Sequence, residues 1–136
     1  MNKKDESFFK VAKAVSESSD FPRFHVGCCV VDGHRIISSG TNSIKSHPLQ
    51  KKLNMERFTE DSTPHCLHAE TTALIPIMNR KDIDWNKIKI YIYREHKNGT
   101  KAMARPCPSC QKLLRDLGIK KVFYTTNNGF AEELFD

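Results

Sequence analysis

The apolar positions Phe8, Val11, Ala12 and Val15 recur at helical spacing among lysines and glutamates, which predicts a first amphipathic helix over residues 5–19. Residues 26–31 form a short, β-branched apolar run. Asp32-Gly33 then supplies a tight turn, and Ile36-Ile37 opens a second run ending at Gly40, so the pair reads as a β-hairpin. Residues 41–62 are polar, contain Pro48 and show no steady period. They predict a long loop with one turn of helix near residues 51–57, and loops of this length are often functional. In residues 65–79, Ala69, Ala73, Leu74 and Ile77 return to helical register after Ser62-Thr63-Pro64, a fitting cap and first-turn proline; Pro76 should bend or shorten that helix.

Across residues 87–94, Ile88, Ile90 and Ile92 alternate with Lys89, Tyr91 and Tyr93, the period of a strand with large side chains on both faces. After a polar loop around Asn98-Gly99, residues 107–117 place Cys110, Leu113, Leu114 and Leu117 on one helical stripe that Gly118 stops. Residues 122–125 form a last strand, and the amphiphilic tail 130–135 predicts a turn of helix. Helix, hairpin, helix, strand, helix and strand in that order argue for a three-layer α/β domain.

At 136 residues the chain suits one domain, 1–136, with a single core, and 38% hydrophobic with 28% charged residues is ordinary for a globular protein. The start, MNKKDESFFK, has a basic pair but no apolar segment or cleavage site, and no later apolar run reaches membrane-span length; the expected location is cytoplasmic. Five cysteines, at 28, 29, 66, 107 and 110, make a poor disulfide framework and a reasonable pool of metal ligands. The net charge of +6 favours anionic partners, either nucleotide phosphates or a nucleic-acid backbone, although the lysines and arginines are scattered.

Two segments carry the chemistry: His68-Ala69-Glu70 and, 39 residues on, Pro106-Cys107-Pro108-Ser109-Cys110. Each sits at a predicted helix start, where free N–H groups and the positive dipole end favour thiolate. Cys107 and Cys110 are three apart, so their sulfurs can face one point. One imidazole and two thiolates suit zinc, and three protein ligands leave a position for water, which is the mark of a catalytic ion. Glu70, two residues past His68, is placed to take and return protons.

This pairing of His-x-Glu with Pro-Cys-x-x-Cys resembles the cytidine deaminase superfamily, over residues 24 to 125. The likeness implies a cytidine deaminase-like α/β/α sandwich around a mixed sheet of four to five strands. It also implies one catalytic Zn2+ held by His68, Cys107 and Cys110, with Glu70 catalytic. Ser39-Gly40-Thr41-Asn42 resembles the family's substrate loop, so Asn42 is expected to contact the sugar. Ala69 is carried as a further substrate contact, and His47, close to Asn42, as a pocket candidate.

His68 in its His-Ala-Glu context, with Gly118-Ile119-Lys120-Lys121-Val122 after the cysteine helix, is closer to deoxycytidylate and tRNA-type deaminases than to free-nucleoside ones. Hydrolysis of a cytosine base to uracil in a nucleotide such as dCMP is the implied activity, in a homo-oligomer. Lys45-Ser46-His47-Pro48 departs from the deoxycytidylate pattern. Only eleven residues, 126–136, follow Thr125, where members commonly add a strand and a helix.

Three alternatives stand beside this reading. One is a deaminase acting on a base in single-stranded DNA or RNA, for which the charge speaks. Another is a protein without catalysis, either a structural zinc site with His65 or Cys66 as fourth ligand or, separately, an inactive descendant serving as a zinc-stabilised binding protein. The third is a thiol redox role for Cys-Pro-Ser-Cys, disfavoured because only 26 residues follow Cys110. Cys28 and Cys29 lie in a predicted strand and read as plain core or surface thiols rather than ligands.

Overall fold

The hairpin forms around Asp32-Gly33: β1 (His25–Asp32) pairs antiparallel with β2 (Arg35–Thr41), with a bulge between Val30 and Val31. The computed structural model describes residues 2–22, 24–57 and 66–135. On its other side β1 pairs antiparallel with β5 (Ile88–Glu95), which runs parallel to β6 (Lys121–Thr126). A right-sized crossover for that parallel step is α4 (Pro108–Leu117), which ends at Gly118 in the left-handed conformation, φ +97°.

The alternation in β5 sorts the core into two layers. Ile88, Ile90 and Ile92 face Ala73, Leu74, Leu113 and Leu114 from α3 (Ala69–Leu74) and α4. Tyr91 and Tyr93 face the opposite way, against Phe9 and Ala12 of α1 (Lys3–Ser16). Helices therefore cover both sides of a mixed sheet, the three layers that the element order requires.

The helix α1 starts two residues earlier than expected because the Asn2 side chain caps it, accepting from the Asp5 amide at 2.8 Å. Asp5 is buried and accepts a hydrogen bond from the Tyr91 hydroxyl, which pins the helix to the sheet. Two glycines let the outer layers close on the hairpin. A Cβ at Gly27 would lie 1.9 Å from the Ala12 carbonyl oxygen, and one at Gly40 would lie 2.6 Å from the Ala73 amide nitrogen. Gly27→Ala must push α1 off the sheet, so it is expected to cost about 3 kcal/mol and lower the melting temperature by about 10 °C. A thermal melt matching the unsubstituted protein would contradict that packing.

Three expectations change. Residues 41–57 hold more structure than a loop: β3 (Ser43–Ser46) pairs with β4 (Cys66–Leu67) in a separate two-stranded sheet, and α2 (Pro48–Arg57) is a ten-residue helix. Pro48 reads as a loop marker in sequence but occupies the first helical position, where its missing N–H costs nothing. The helix expected over 65–79 is confined to Ala69–Leu74, since His68 is its N-cap and Pro76 follows in a run of turns; Ser62-Thr63-Pro64 lie outside the described residues.

The tail is not helical. It forms β7 (Gly129–Leu134), antiparallel to β6 through a two-residue turn, and completes a five-stranded sheet in the order β2-β1-β5-β6-β7. As an edge strand it is only half-covered, so six residues carry too little alternation to distinguish strand from helix. Among the described residues no helix is long and apolar enough to cross a membrane.

Candidate metal centre and active site

Two helix starts meet beneath the C-terminal end of β5. His68 is the N-cap of α3 and Cys107 the N-cap of α4, so both leave extended backbone just as the chain turns helical. Cys110 follows in the first turn of α4, fully buried. His68 Nδ1 lies 3.2 Å from Cys110 Sγ and 3.4 Å from Cys107 Sγ. The three donor atoms all fall within 4.8 Å of one another, and no other such cluster exists among the described residues.

Those separations can be tested against zinc. Zn–N and Zn–S arms of about 2.1 and 2.3 Å at a tetrahedral angle put the donors roughly 3.5 Å apart. The residues fit a single zinc ion with only a small adjustment. His65 lies outside the described residues, as does the Cys66 side chain.

Charge in the cluster is arranged for metal. Cys107 is pushed down to about 4, first by the hydrogen bond from the Cys110 thiol, against burial, with His68 adding a hydrogen bond and its charge. Cys110 goes well up, because it gives that hydrogen bond and is buried. Burial would lower His68, but the Cys107 hydrogen bond and the charges of Glu70 and Cys107 outweigh it, and its net shift is upward. One thiolate is thus already formed at neutral pH, and the remaining protons are held between donors that a divalent ion would take over.

Glu70 is the second residue of α3 and only 5% exposed. Burial pushes its carboxyl above the usual range, opposed chiefly by the charge of His68. It borders a cavity of about 500 Å3 that His68, Ala69 and Cys107 also line. Glu70, Ala69, Ala104 and Asn42 form the buried floor, while Phe24, Met103 and Arg105 are exposed at the rim.

Asn42 reaches the cavity wall, but its amide is engaged with the chain. Oδ1 accepts from Ser19 Oγ at 2.6 Å and from the Val26 amide at 2.9 Å, and Nδ2 donates to the Phe24 carbonyl at 3.0 Å. It therefore fixes the segment leading into β1 and leaves one amide hydrogen for a ligand. His47 is not among the cavity-lining residues; its Nδ1 accepts from the Leu49 amide at 3.0 Å, at the start of α2. Cys28 and Cys29 are buried core thiols, as their strand position predicts.

Sequence reasoning missed two groups. Gln50, wholly buried in α2, accepts from Thr71 Oγ1 at 2.6 Å and from the His68 amide at 3.3 Å, and so secures the first turn of α3. Phe21, Phe24 and Arg94 border the cavity from segments that carry no motif, and Arg105 borders it from the position directly before the cysteine motif. The only sequence signal for these was the aromatic pair flanking Pro22.

Comparison with known proteins agrees with this geometry. Residues 2–126 match the family model described as cytidine and deoxycytidylate deaminase zinc-binding region. Deoxycytidylate deaminase of Homo sapiens is 28% identical over 127 residues, which cover 90% of this chain and 64% of that protein. The Schizosaccharomyces pombe deoxycytidylate deaminase is 28% identical over 131 residues, 90% of this chain and 37% of that one. This chain thus spans less than two thirds of the length of such relatives.

Among solved structures, the apo form of dCMP deaminase from the cyanophage S-TIM5 superposes with a TM-score of 0.64 at 26% identity, over 93% of this chain and 86% of that one. Cytidine deaminase from Burkholderia pseudomallei reaches the same TM-score at 18% identity, over 98% and 93% of the two chains, a likeness of fold. With a five-stranded mixed sheet, a buried glutamate beside a His-Cys-Cys cluster and a family match over most of its length, the chain belongs to the cytidine and deoxycytidylate deaminase zinc-binding family.

Proposed function

We propose that this protein is a zinc-dependent hydrolytic deaminase converting cytosine to uracil in a nucleotide, foremost deoxycytidylate, with water consumed and ammonia released. One observation carries the reading: a buried carboxyl, Glu70, stands beside three zinc-type donors in the floor of a cavity large enough for a nucleotide. The described elements share one principal sheet, which supports a single domain.

His68, Cys107 and Cys110 would hold the zinc, which when bound supplies a Lewis acid that makes hydroxide available at neutral pH. Glu70 does the proton work. Its carboxyl, held above the usual carboxylate range by burial and placed beside the three donors, can protonate the ring nitrogen and later deliver a proton to the departing amino group. Ala69 and Asn42 border the space beside it, and Val26, Leu67 and Ala104 give that space apolar walls for a base.

The test is a product screen with zinc-loaded protein over dCMP, CMP, deoxycytidine, cytidine and a short cytosine-containing oligonucleotide. Ammonia and the matching uracil product are expected from dCMP most rapidly. Turnover confined to the oligonucleotide would replace this reading with the nucleic-acid one, for which only the +6 charge speaks. No turnover of any compound would end the enzyme reading.

A further inference from the structure

Two guanidinium groups line the cavity, Arg94 near the end of β5 and Arg105 ahead of the cysteine segment. Their surroundings differ. Arg105 forms a bidentate pair with Glu133 of β7, with Nε and Nη2 each 2.8 Å from a carboxylate oxygen, and the Tyr124 hydroxyl donates to the same carboxylate at 2.9 Å. Its charge is met, and its fork is occupied.

Arg94 is in the opposite condition. Its guanidinium lies 4.4 Å over the Phe24 ring, and no carboxylate pairs with it among the described residues. Its Nε is buried and has no acceptor among the described residues. A buried donor left unpaired is rare in a folded protein and calls for a partner. A guanidinium held over an aromatic ring keeps its charge in place for an anion such as phosphate. The same cavity holds Glu70, so a ligand whose base meets Glu70 has its other end available to Arg94.

We infer that Arg94, carried on Phe24, recognises the terminal phosphate of the nucleotide and sets the preference for a monophosphate over a nucleoside, while Arg105, tied to Glu133, contributes less. The inference rests on the proposed function for the identity of the base, but not for the anion.

The test uses the zinc-loaded full chain and the reaction product, so that binding is read without turnover. Affinities for dUMP and deoxyuridine are measured calorimetrically for the natural protein, Arg94→Gln, Arg94→Lys and Arg105→Gln. The natural protein should prefer dUMP, Arg94→Gln should cut that preference about 30-fold, Arg94→Lys should recover part of it, and Arg105→Gln should cut it less. The kcat/KM ratio of dCMP to deoxycytidine should fall in parallel. An unchanged preference in folded Arg94→Gln, or a larger loss in Arg105→Gln, overturns the assignment. Tighter binding of a uracil dinucleotide, whose phosphate is a diester, also overturns it.

Should Arg94→Gln fail to fold, the arginine Nε–H resonances of the natural protein give the answer. One should move with dUMP and not with deoxyuridine, and the absence of any such movement would sink the idea. Arg94-dependent dUMP affinity without turnover of any cytosine compound would keep this inference and remove the deaminase one.

Discussion

Glu70→Gln is expected to keep its zinc and lose turnover by about 10²–10⁴-fold, the range that general acid–base catalysis supplies. Glutamine has nearly the shape of glutamate, so it can fill the buried place at the head of α3 without disturbing the packing of Ala69 and Thr71. It cannot carry the proton. The loss should fall on kcat rather than KM, because proton delivery stabilises the transition state and not the bound substrate. Metal content by elemental analysis beside steady-state rates makes the check: a variant with full zinc and normal kcat would remove the proton-transfer role, and one without zinc would make Glu70 part of the metal's support.

Cys110→Ala is expected to abolish zinc uptake and all activity, and to unfold at lower temperature than the zinc-loaded natural protein. Cys110 is fully buried between α3 and α4 and lies within bonding reach of both other donors, so its removal takes a third of the ligand set and leaves a gap at the joint. Metal that binds the folded state alone stabilises it by about 4 kcal/mol at a thousandfold excess over its dissociation constant. Adding excess zinc should therefore raise the melting temperature of the natural protein and leave that of the variant unmoved.

The protons add an independent readout. Cys110, held well above the ordinary thiol range, must release its proton when metal binds, whereas Cys107, near 4, has already done so at neutral pH. Zinc and proton compete for Cys110, so apparent zinc affinity should rise with pH through the neutral and alkaline range. Affinity independent of pH there would mean that Cys110 does not ligate.

What the sequence discloses of this molecule follows how local each feature is. The metal donors and Glu70 stand out because each pair lies within one turn of a helix start, where spacing alone decides which atoms converge. The double-faced strand β5 is legible for the same reason: Ile88, Ile90 and Ile92 against Tyr91 and Tyr93 need only the two-residue period. By contrast β7 owes its form to β6 beside it, since register from Thr126–Gly129 to Lys121–Leu134 provides the hydrogen bonds that its own residues do not encode. The helix α2 hides behind Pro48 and a polar composition, its one telling residue being Gln50. Arg94 and Phe24 come from distant segments, so neither has a sequence pattern to betray the stacking.

Gln50 has a consequence beyond packing. Through a single amide, the segment between the hairpin and the metal helix reports directly on the main chain of His68 and on Thr71. Any substitution that removes that oxygen leaves the His68 amide and the Thr71 hydroxyl without this acceptor, and the first turn of α3 loses an anchor. The bearing of the donor-carrying helix is thereby tied to α2 through one uncharged side chain that belongs to no motif.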